Sequence, residues 1–490
     1  MTIRIRPGLV YAVLAVLGFA LLIWLAPYYS TQLWWMLRKT LFLAVPIGAA
    51  GIPALLIWWY DEDLLVDFGG LILGAGVLAV IGLVGWGVYH SYLQDKDYAA
   101  SVEVESGGPP AFGERAPFQV AEAMARPNLG DVPGDITDTS YLPDTDRFSN
   151  LVARRGWLAG YQTVLTQNIP MQGRGQPDQR CEFTLKADAR VGGWFTHNLG
   201  RQINKQARWR SWDNDDVYAY CDRGAPKVVV PLKRQVGWLV VTDRPAGVAI
   251  YDGRTGEITI TDRTTVPGPA YPLSLASEQR EATSAIGSFG DWFFNRAGWE
   301  LPDDEVNSGN DSEFTLDTDR GSVYATPLTG RGSATSISVI SVVSAKPRSG
   351  ELAPLSVHRL KPSWVSPKAI VDKIKADYQD IPNWQNIKVY EVVPTGPDSW
   401  VATLGAGQNI LYRVSGTGTL KGEKPTCLHR ADGSVIRCGT LADRDGRGVG
   451  TDYGSGGKGS GDLSELTDEE LADLQRRVTE EFERRLEERD

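Results

Sequence analysis

The sequence predicts a membrane-anchored α+β protein, with three N-terminal transmembrane helices, a strand-rich soluble body in two parts, and a C-terminal helix. Three observations lead there. Apolar residues crowd into roughly the first ninety positions of a 490-residue chain whose mean hydropathy is slightly negative. The middle of the chain is a succession of short runs rich in Val, Ile, Thr and Tyr, separated by polar turns. All four cysteines lie beyond the apolar region. A chain of this length exceeds the usual single core. Its net charge of −10, with no long basic run, argues against a nucleic-acid partner.

Within residues 1–94, apolar stretches at about 9–29, 41–60 and 71–92 each have the length needed to cross a hydrocarbon core of roughly 30 Å at about 1.5 Å per residue. The second contains Pro46 and Pro53, and the third is punctuated by Gly74, Gly76, Gly82, Gly85 and Gly87. Rings flank the spans at Tyr28-Tyr29, Trp34-Trp35, Trp58-Trp59-Tyr60, Trp86 and Tyr89, where amphipathic side chains settle at headgroup level. The opening MTIRIRP has the basic character of a signal-peptide start, but two more apolar runs follow and no small-x-small cleavage site stands out, so a retained anchor is expected. Charge bias divides on orientation: Arg4 and Arg6 pull the N-terminus inside, while Arg38 and Lys39 pull the first loop inside.

The cysteines break that tie. In CLHRADGSVIRC, an Asp432-Gly433 turn sets Cys427 opposite Cys438, within reach of a disulfide after modest adjustment by a bulge or longer turn. Cys181 and Cys221, each on an expected strand, form the second bridge if the shortest loops are chosen. Two disulfides belong to an oxidising compartment. With three spans, that places the N-terminus inside and the body outside the cytoplasmic (inner) membrane.

Residues 95–140, rich in Gly, Pro and acids, read as a linker or collar with a brief helix over 118–125. Residues 141–266 form a first α+β domain of mainly antiparallel strands. It is interrupted by GGWFTHNLGRQINKQARW, an amphipathic helix with Trp194, Phe195, Leu199 and Ile203 on one side. Its segment GVAIYDGRTGEITI, through Asp252, Thr255, Gly256 and Glu257 and with Val228 to Leu232 before it, resembles PepSY-type modules, small α+β envelope domains. The resemblance covers about thirty residues and implies a fold, not an activity. Residues 267–309 supply a helical connector and an acidic loop. Residues 310–440 form a second α+β domain, with a helix over SPKAIVDKIKADYQ. Thr242-Asp243-Arg244 and Thr318-Asp319-Arg320 each read as a strand-to-strand turn, a hint of duplication. Residues 441–462 are a Gly/Ser-rich linker. Residues 463–490 form an amphipathic helix capped by Thr467 and Glu470, with Leu471, Leu474, Val478, Phe482 and Leu486 on one stripe for docking or self-association.

Motifs of chemistry are sparse. His90, His197, His358 and His429 lack metal-ligand spacing and read as structural histidines, and no nucleophile, zinc or phosphate-loop signature occurs. Hence no catalytic, cofactor-binding or metal residues are assigned and no cofactor is expected. The acidic loop from Asp303 to Glu313 lacks the order of a calcium loop. Trp209, Trp212, Trp292, Trp299, Trp364 and Trp384 offer binding surface wherever they are exposed. The expected function is a non-catalytic, membrane-anchored envelope protein displaying an extracytoplasmic binding or assembly module. Its partners are the lipid bilayer and a protein, or a second copy of itself. The alternatives are an envelope hydrolase using paired carboxylates and a membrane sensor acting through a partner.

Overall fold

A computed structural model describes residues 16–18, 20–21, 26–44, 46–48 and 69–439, with breaks at 131, 171–175, 263–264, 303–305, 308–312, 333, 347–349 and 420–424. The chain enters through helices α1 (Pro27–Thr40) and α2 (Gly69–Ala99), followed by strand β1 (Val102–Glu105) and helix α3 (Phe118–Asn128). Four sheets follow in sequence order.

The first is a meander of β2 (Asp135–Leu142), β3 (Arg147–Ala153), β4 (Tyr161–Asn168) and β5 (Gln176–Glu182). Helix α4 (Leu199–Gln206) leads to the second sheet, of β6 (Arg210–Ser211), β7 (Tyr218–Asp222), β8 (Ala225–Val236), β9 (Thr242–Asp252) and β10 (Ile258–Thr261), in the order β10-β9-β8-β6 with β7 also on β8. Helices α5 (Leu273–Glu281) and α6 (Phe289–Phe293) precede the third sheet. It contains β11 (Trp299–Glu300), β12 (Phe314–Leu316), β13 (Val323–Gly330), β14 (Ile337–Ser344) and β15 (Leu355–Trp364), and β1 joins it parallel to β15. Helix α7 (Pro367–Asp377) leads to a second meander, β16 (Lys388–Gly396), β17 (Ser399–Ala406), β18 (Asn409–Thr417), β19 (Cys427–Arg430) and β20 (Val435–Cys438).

Burial explains the local choices. Strands β8 and β9 are covered on both faces, which suits the near-continuous apolar run Val228-Val229-Val230. One core gathers Leu151, Val164, Val228, Val230 and Tyr251 of the first two sheets with Leu199 and Ile203, an i, i+4 pair on α4. A second places Ile370 and Ile374 of α7 against Trp364, Trp400 and Val414. The start of α7 is fixed by Ser366, whose hydroxyl accepts the Ala369 N–H at 3.2 Å, with Pro367 at the first helical position. Helix α3 inserts Met124 between Phe148 of the first sheet and Tyr390 and Ile410 of the fourth. The stretch expected as a collar thus contributes both a sheet strand, β1, and a core helix.

Several expectations change. Among the described residues no helix is long and apolar enough to cross a membrane, so the three predicted transmembrane helices are not supported. The described helices are tied to the body: α1 falls mostly between the first two predicted spans, and within the third His90 of α2 bonds to the Leu239 carbonyl at 2.7 Å. Helix α1 carries Ser30, Thr31, Gln32, Arg38 and Lys39, and pins Trp35 into the body through a 3.1 Å bond from its indole N–H to the Trp209 carbonyl. Helix α2 ends in Gln94, Asp95, Lys96 and Asp97, which bond to the body: Gln94 to the Val241 carbonyl at 2.9 Å and Lys96 to that of Ala285 at 2.9 Å. Most of the first two predicted spans lies outside the described residues. The inner-membrane, multi-pass location with its N-terminus inside falls with the spans on which it rested.

The helix predicted to start near Trp194 begins only at Leu199. Thr242-Asp243-Arg244 is not a turn but the start of β9, with Asp243 buried, whereas Thr318-Asp319-Arg320 does turn β12 into β13. The repeated tripeptide therefore marks no repeated structure. The terminal helix with Leu471, Leu474, Val478, Phe482 and Leu486 lies outside the described residues.

Candidate functional site

Both disulfides are present. Cys427 and Cys438 face each other directly across β19 and β20, and a register shift after Leu428 accommodates the turn, with Gly433 at φ +82°. Cys181 on β5 is bonded to Cys221 on β7, which ties the first sheet to the second beside their shared core. These are structural bonds.

A surface unlike ordinary solvated surface lies at the β3–β4 turn and the loop before α4. Trp157 is 67% exposed, Trp194 52% and Phe195 65%. The two indoles stack with centroids 5.0 Å apart and planes 29° apart, and Phe195 stands edge-on to Trp194 at 6.1 Å. Leu158 is exposed beside Trp157 in sequence.

Main-chain bonds hold this platform rather than burial. The Trp194 N–H donates to the Trp157 carbonyl at 3.0 Å, and Arg190 reaches across to the Gly156 carbonyl at 2.8 Å. Beneath, Asp188 gathers Arg154 at 2.6 Å, the Gly160 N–H at 2.7 Å and the His197 ring at 3.2 Å. Phe195 sits at φ +49°, a left-handed conformation that costs a non-glycine residue on the order of 1–2 kcal/mol. Gly193 is required, because a Cβ there would lie 2.1 Å from the His197 carbonyl oxygen. A strained backbone that keeps large rings in water is the reverse of what folding alone favours.

Phe195 also forms one wall of a cleft of about 850 Å³ between α4 and the start of β10. Arg201, Gln202, Lys205 and Gln206 line one side, and Gly256 to Thr259 the other. The Asp252 to Glu257 turn closes this second side: the Gly256 N–H bonds to the Asp252 carbonyl at 2.9 Å, and the Asp252 carboxylate, held below its ordinary range by Lys227 and the Arg254 and Thr255 N–H groups despite partial burial, caps the turn. The cleft thus offers two cations, three amides (Asn198, Gln202 and Gln206) and one carboxylate, Glu257, beside an aromatic shelf. That combination suits a polypeptide segment with an apolar or aromatic anchor and flanking polar groups.

A second cleft, of about 630 Å³, contains Asp95, Glu281, Glu300, Arg280 and Arg331 with Trp292 and Trp299. Burial pushes the Asp95 carboxyl up, although it accepts the Trp292 indole N–H at 2.7 Å. Glu300 accepts the Gly332 N–H at 3.1 Å, and the buried Arg280 pairs with Glu313. Asp95 and Glu300 are thus engaged in holding α2 to α6 and β11 to the β13–β14 turn, and the Glu281 carbonyl accepts Arg331 at 2.8 Å.

The histidines are likewise engaged. His90 bonds to the Leu239 carbonyl at 2.7 Å and His429 to the Ser415 hydroxyl at 2.8 Å, while His358 lies 3.6 Å from Glu105. Among the described residues no group of His, Cys, Asp and Glu is arranged to hold a metal ion. Of the tryptophans singled out in the sequence, Trp209 is exposed, Trp364 is buried, and Trp212, Trp292, Trp299 and Trp384 are partly covered. Most of the acidic loop lies outside the described residues, but Asn307 is buried and accepts the Val392 N–H at 3.0 Å. Trp157 was missed because it sits in a turn without periodicity, and Trp194 and Phe195 because their spacing to Leu199 and Ile203 mimics one helix face. The pair Gly192-Gly193 is the signal against that helix.

No family model, curated protein or solved structure matches the chain.

Proposed function

We propose that the protein is a non-catalytic binding or assembly module, working in an oxidising compartment outside the cytoplasm and contacting an extended segment of a partner protein. The observation that carries this reading is the stacked Trp157–Trp194 pair, held in water by main-chain bonds, with Phe195 edge-on to it and lining the α4–β10 cleft. Exposed, rigid aromatic rings beside cations are the composition of energetic anchors at protein interfaces. The two disulfides supply the compartment, since such bonds persist where thiols are not kept reduced.

The test is site-specific photocrosslinking in producing cells. A photoreactive side chain at position 194 should yield a discrete protein adduct that is lost in Trp157→Ala, whose truncation weakens an anchor by about 2 kcal/mol or more, roughly thirtyfold. The same probe at Arg320, exposed on the β12–β13 turn, is the comparison. Labelling at 194 no stronger than at 320 would sink the proposal.

A further inference from the structure

A different aromatic surface runs along the edge where α1, α2, α6 and the β8–β9 turn meet. Its rings form a connected series. Trp34 lies 5.5 Å from Trp209, and the Arg38 guanidinium sits 5.9 Å from both the Trp34 and the Trp238 rings. Next to Trp238, the Leu239 carbonyl is bonded to His90, which stacks on Phe42 at 4.0 Å, and Phe42 in turn accepts the Trp86 indole N–H at 2.9 Å. Tyr89 and Tyr92 then meet Phe289 at 5.6 and 5.3 Å, and Phe293 and Phe294 continue the series to Arg296, 5.1 Å from the last ring.

Much of this series is uncovered: Trp238 is 74% exposed and Phe294 62%. The elements beneath it are fixed. Arg38 bonds to the Gln235 carbonyl at 3.1 Å and also to that of Gly237, the Gln235 side chain returns a bond to the Trp35 carbonyl at 3.2 Å, and Ser288 with Asp291 forms a capping box that starts α6. The rings are therefore displayed by anchored secondary structure.

Polarity is graded along α2. Val80, Ile81 and Val84 are exposed and apolar, Trp86, Tyr89 and Tyr92 are aromatic, and Asp95, Lys96 and Asp97 are bound to the body. From Val80 to Asp97 the helix rises about 25 Å. A sequence of apolar, aromatic and charged zones over that distance matches the change from acyl chains through headgroups to water.

From this arrangement we infer that the α1–α2–α6 edge docks peripherally on an anionic lipid surface, its rings at headgroup depth. Charge selects lipid over a second copy of the chain. Arg38, Lys39 and Arg296 are interleaved with the rings, and a two-fold contact between copies through this edge would bring these like charges together. Lys39 is half-exposed while its acidic partner Asp243 is 2% exposed, so the cation faces outward and the anion inward. Such cations add attraction to acidic headgroups, and salt screens it.

The experiment mixes the full chain with vesicles of phosphatidylcholine and phosphatidylglycerol, three to one, carrying phosphatidylcholine brominated high on its acyl chains. Bromine should quench part of the tryptophan emission, and that quenched part should shrink in Trp238→Phe. Phe293→Ser/Phe294→Ser, altered only at exposed positions, should lower the vesicle partition coefficient at least tenfold with its circular dichroism unchanged. Replacing phosphatidylglycerol by phosphatidylcholine should weaken binding severalfold. Unchanged quenching in Trp238→Phe overturns the inference. So does a Phe293→Ser/Phe294→Ser protein that binds vesicles like the parent while losing self-association in sedimentation equilibrium, which would make this edge an interface between copies.

Discussion

Removing the Cys181–Cys221 bridge should loosen one half of the fold and leave the other intact. The bond closes a loop with a sequence separation of 40, for which the chain-entropy relation gives about 4 kcal/mol; the Cys427–Cys438 bond, with a separation of 11, gives about 3 kcal/mol. The larger value acts where it matters structurally. Among the described residues β5 pairs in a sheet only with β4, and β7 only with β8, so the bridge is a covalent link between two sheets that otherwise meet through side-chain packing around Val164, Val228 and Val230 and a few bonds at the strand ends, such as the Thr184 N–H to the Gly253 carbonyl at 2.9 Å. In Cys181→Ala/Cys221→Ala, hydrogen exchange followed by mass spectrometry should show protection falling by about three orders of magnitude in β4, β5 and β7, while β16 to β18 keep theirs. Urea unfolding of the same variant should lose about 4 kcal/mol from the transition reported by the first two sheets. A loss below about 1 kcal/mol, or deprotection spread evenly to β16–β18, would refute the idea that this bridge holds a local sheet pair.

Two further predictions rest on buried charge. Arg115 and Glu391 pair at 3.1 Å with side chains 1% and 5% exposed, and Glu391 also accepts the Phe118 N–H that opens α3; Arg115→Met alone should cost about 3–5 kcal/mol in urea unfolding, and the double variant Arg115→Met/Glu391→Leu should cost less than the single one. Burial raises the carboxyls of Asp216 and Asp243 to about 6, against the hydrogen bonds from Ser274 and the nearby Lys39 and Lys233. The native state thus holds protons that the unfolded chain releases between about pH 4 and 6, so stability should fall as pH rises through that window, by about 2–3 kcal/mol per group, and level off near pH 7. Asp216→Asn should remove its share of the slope, and an unchanged slope in that variant would contradict the assignment.

How much of this was legible in the sequence depends on whether the deciding interaction is local. The Cys427–Cys438 pairing is local: Asp432-Gly433 fixes the turn, the turn fixes the register, and the register opposes the two thiols. Most strands were legible for the same reason, because alternation reports a half-buried surface. The span assignment failed on a non-local question. Apolar length says that a segment avoids water and not what it meets, and within the third expected span His90 and Tyr92 bond to the carbonyls of Leu239 and Gly287, some 150 to 200 residues later in the chain. Thr242-Asp243-Arg244 failed similarly, since its turn-like composition yields to pairing with Gln235 and Val236 on β8.

The candidate surfaces were illegible for a more specific reason. A hydrophobic residue carries the same information in sequence whether it is buried or displayed, and only its support distinguishes the two. Around Trp194 that support is Gly193, which admits the His197 carbonyl, and Asp188, which collects a guanidinium, an amide and an imidazole below the rings. None of these residues forms a recognisable motif, because the partners of Gly193 are main-chain groups that every residue possesses and those of Asp188, Arg154 and His197, lie at no fixed spacing from it in sequence. Along the α1–α2–α6 edge the support is again main-chain: the carbonyls of Gln235, Leu239 and Phe42 hold Arg38, His90 and Trp86. Displayed rings that are rigid because their backbones are bonded, rather than because they are packed, lose little entropy on meeting a partner, and this preorganisation is what a contact surface requires. Helix α4 adjoins both regions, with Arg201 lining the cleft and lying 5.5 Å from the Tyr29 ring on α1, and with Gly200 closely approached by the rings of Tyr28 and Trp212. A segment seated in the cleft and a lipid surface under α1 would therefore press on the same short helix from two sides.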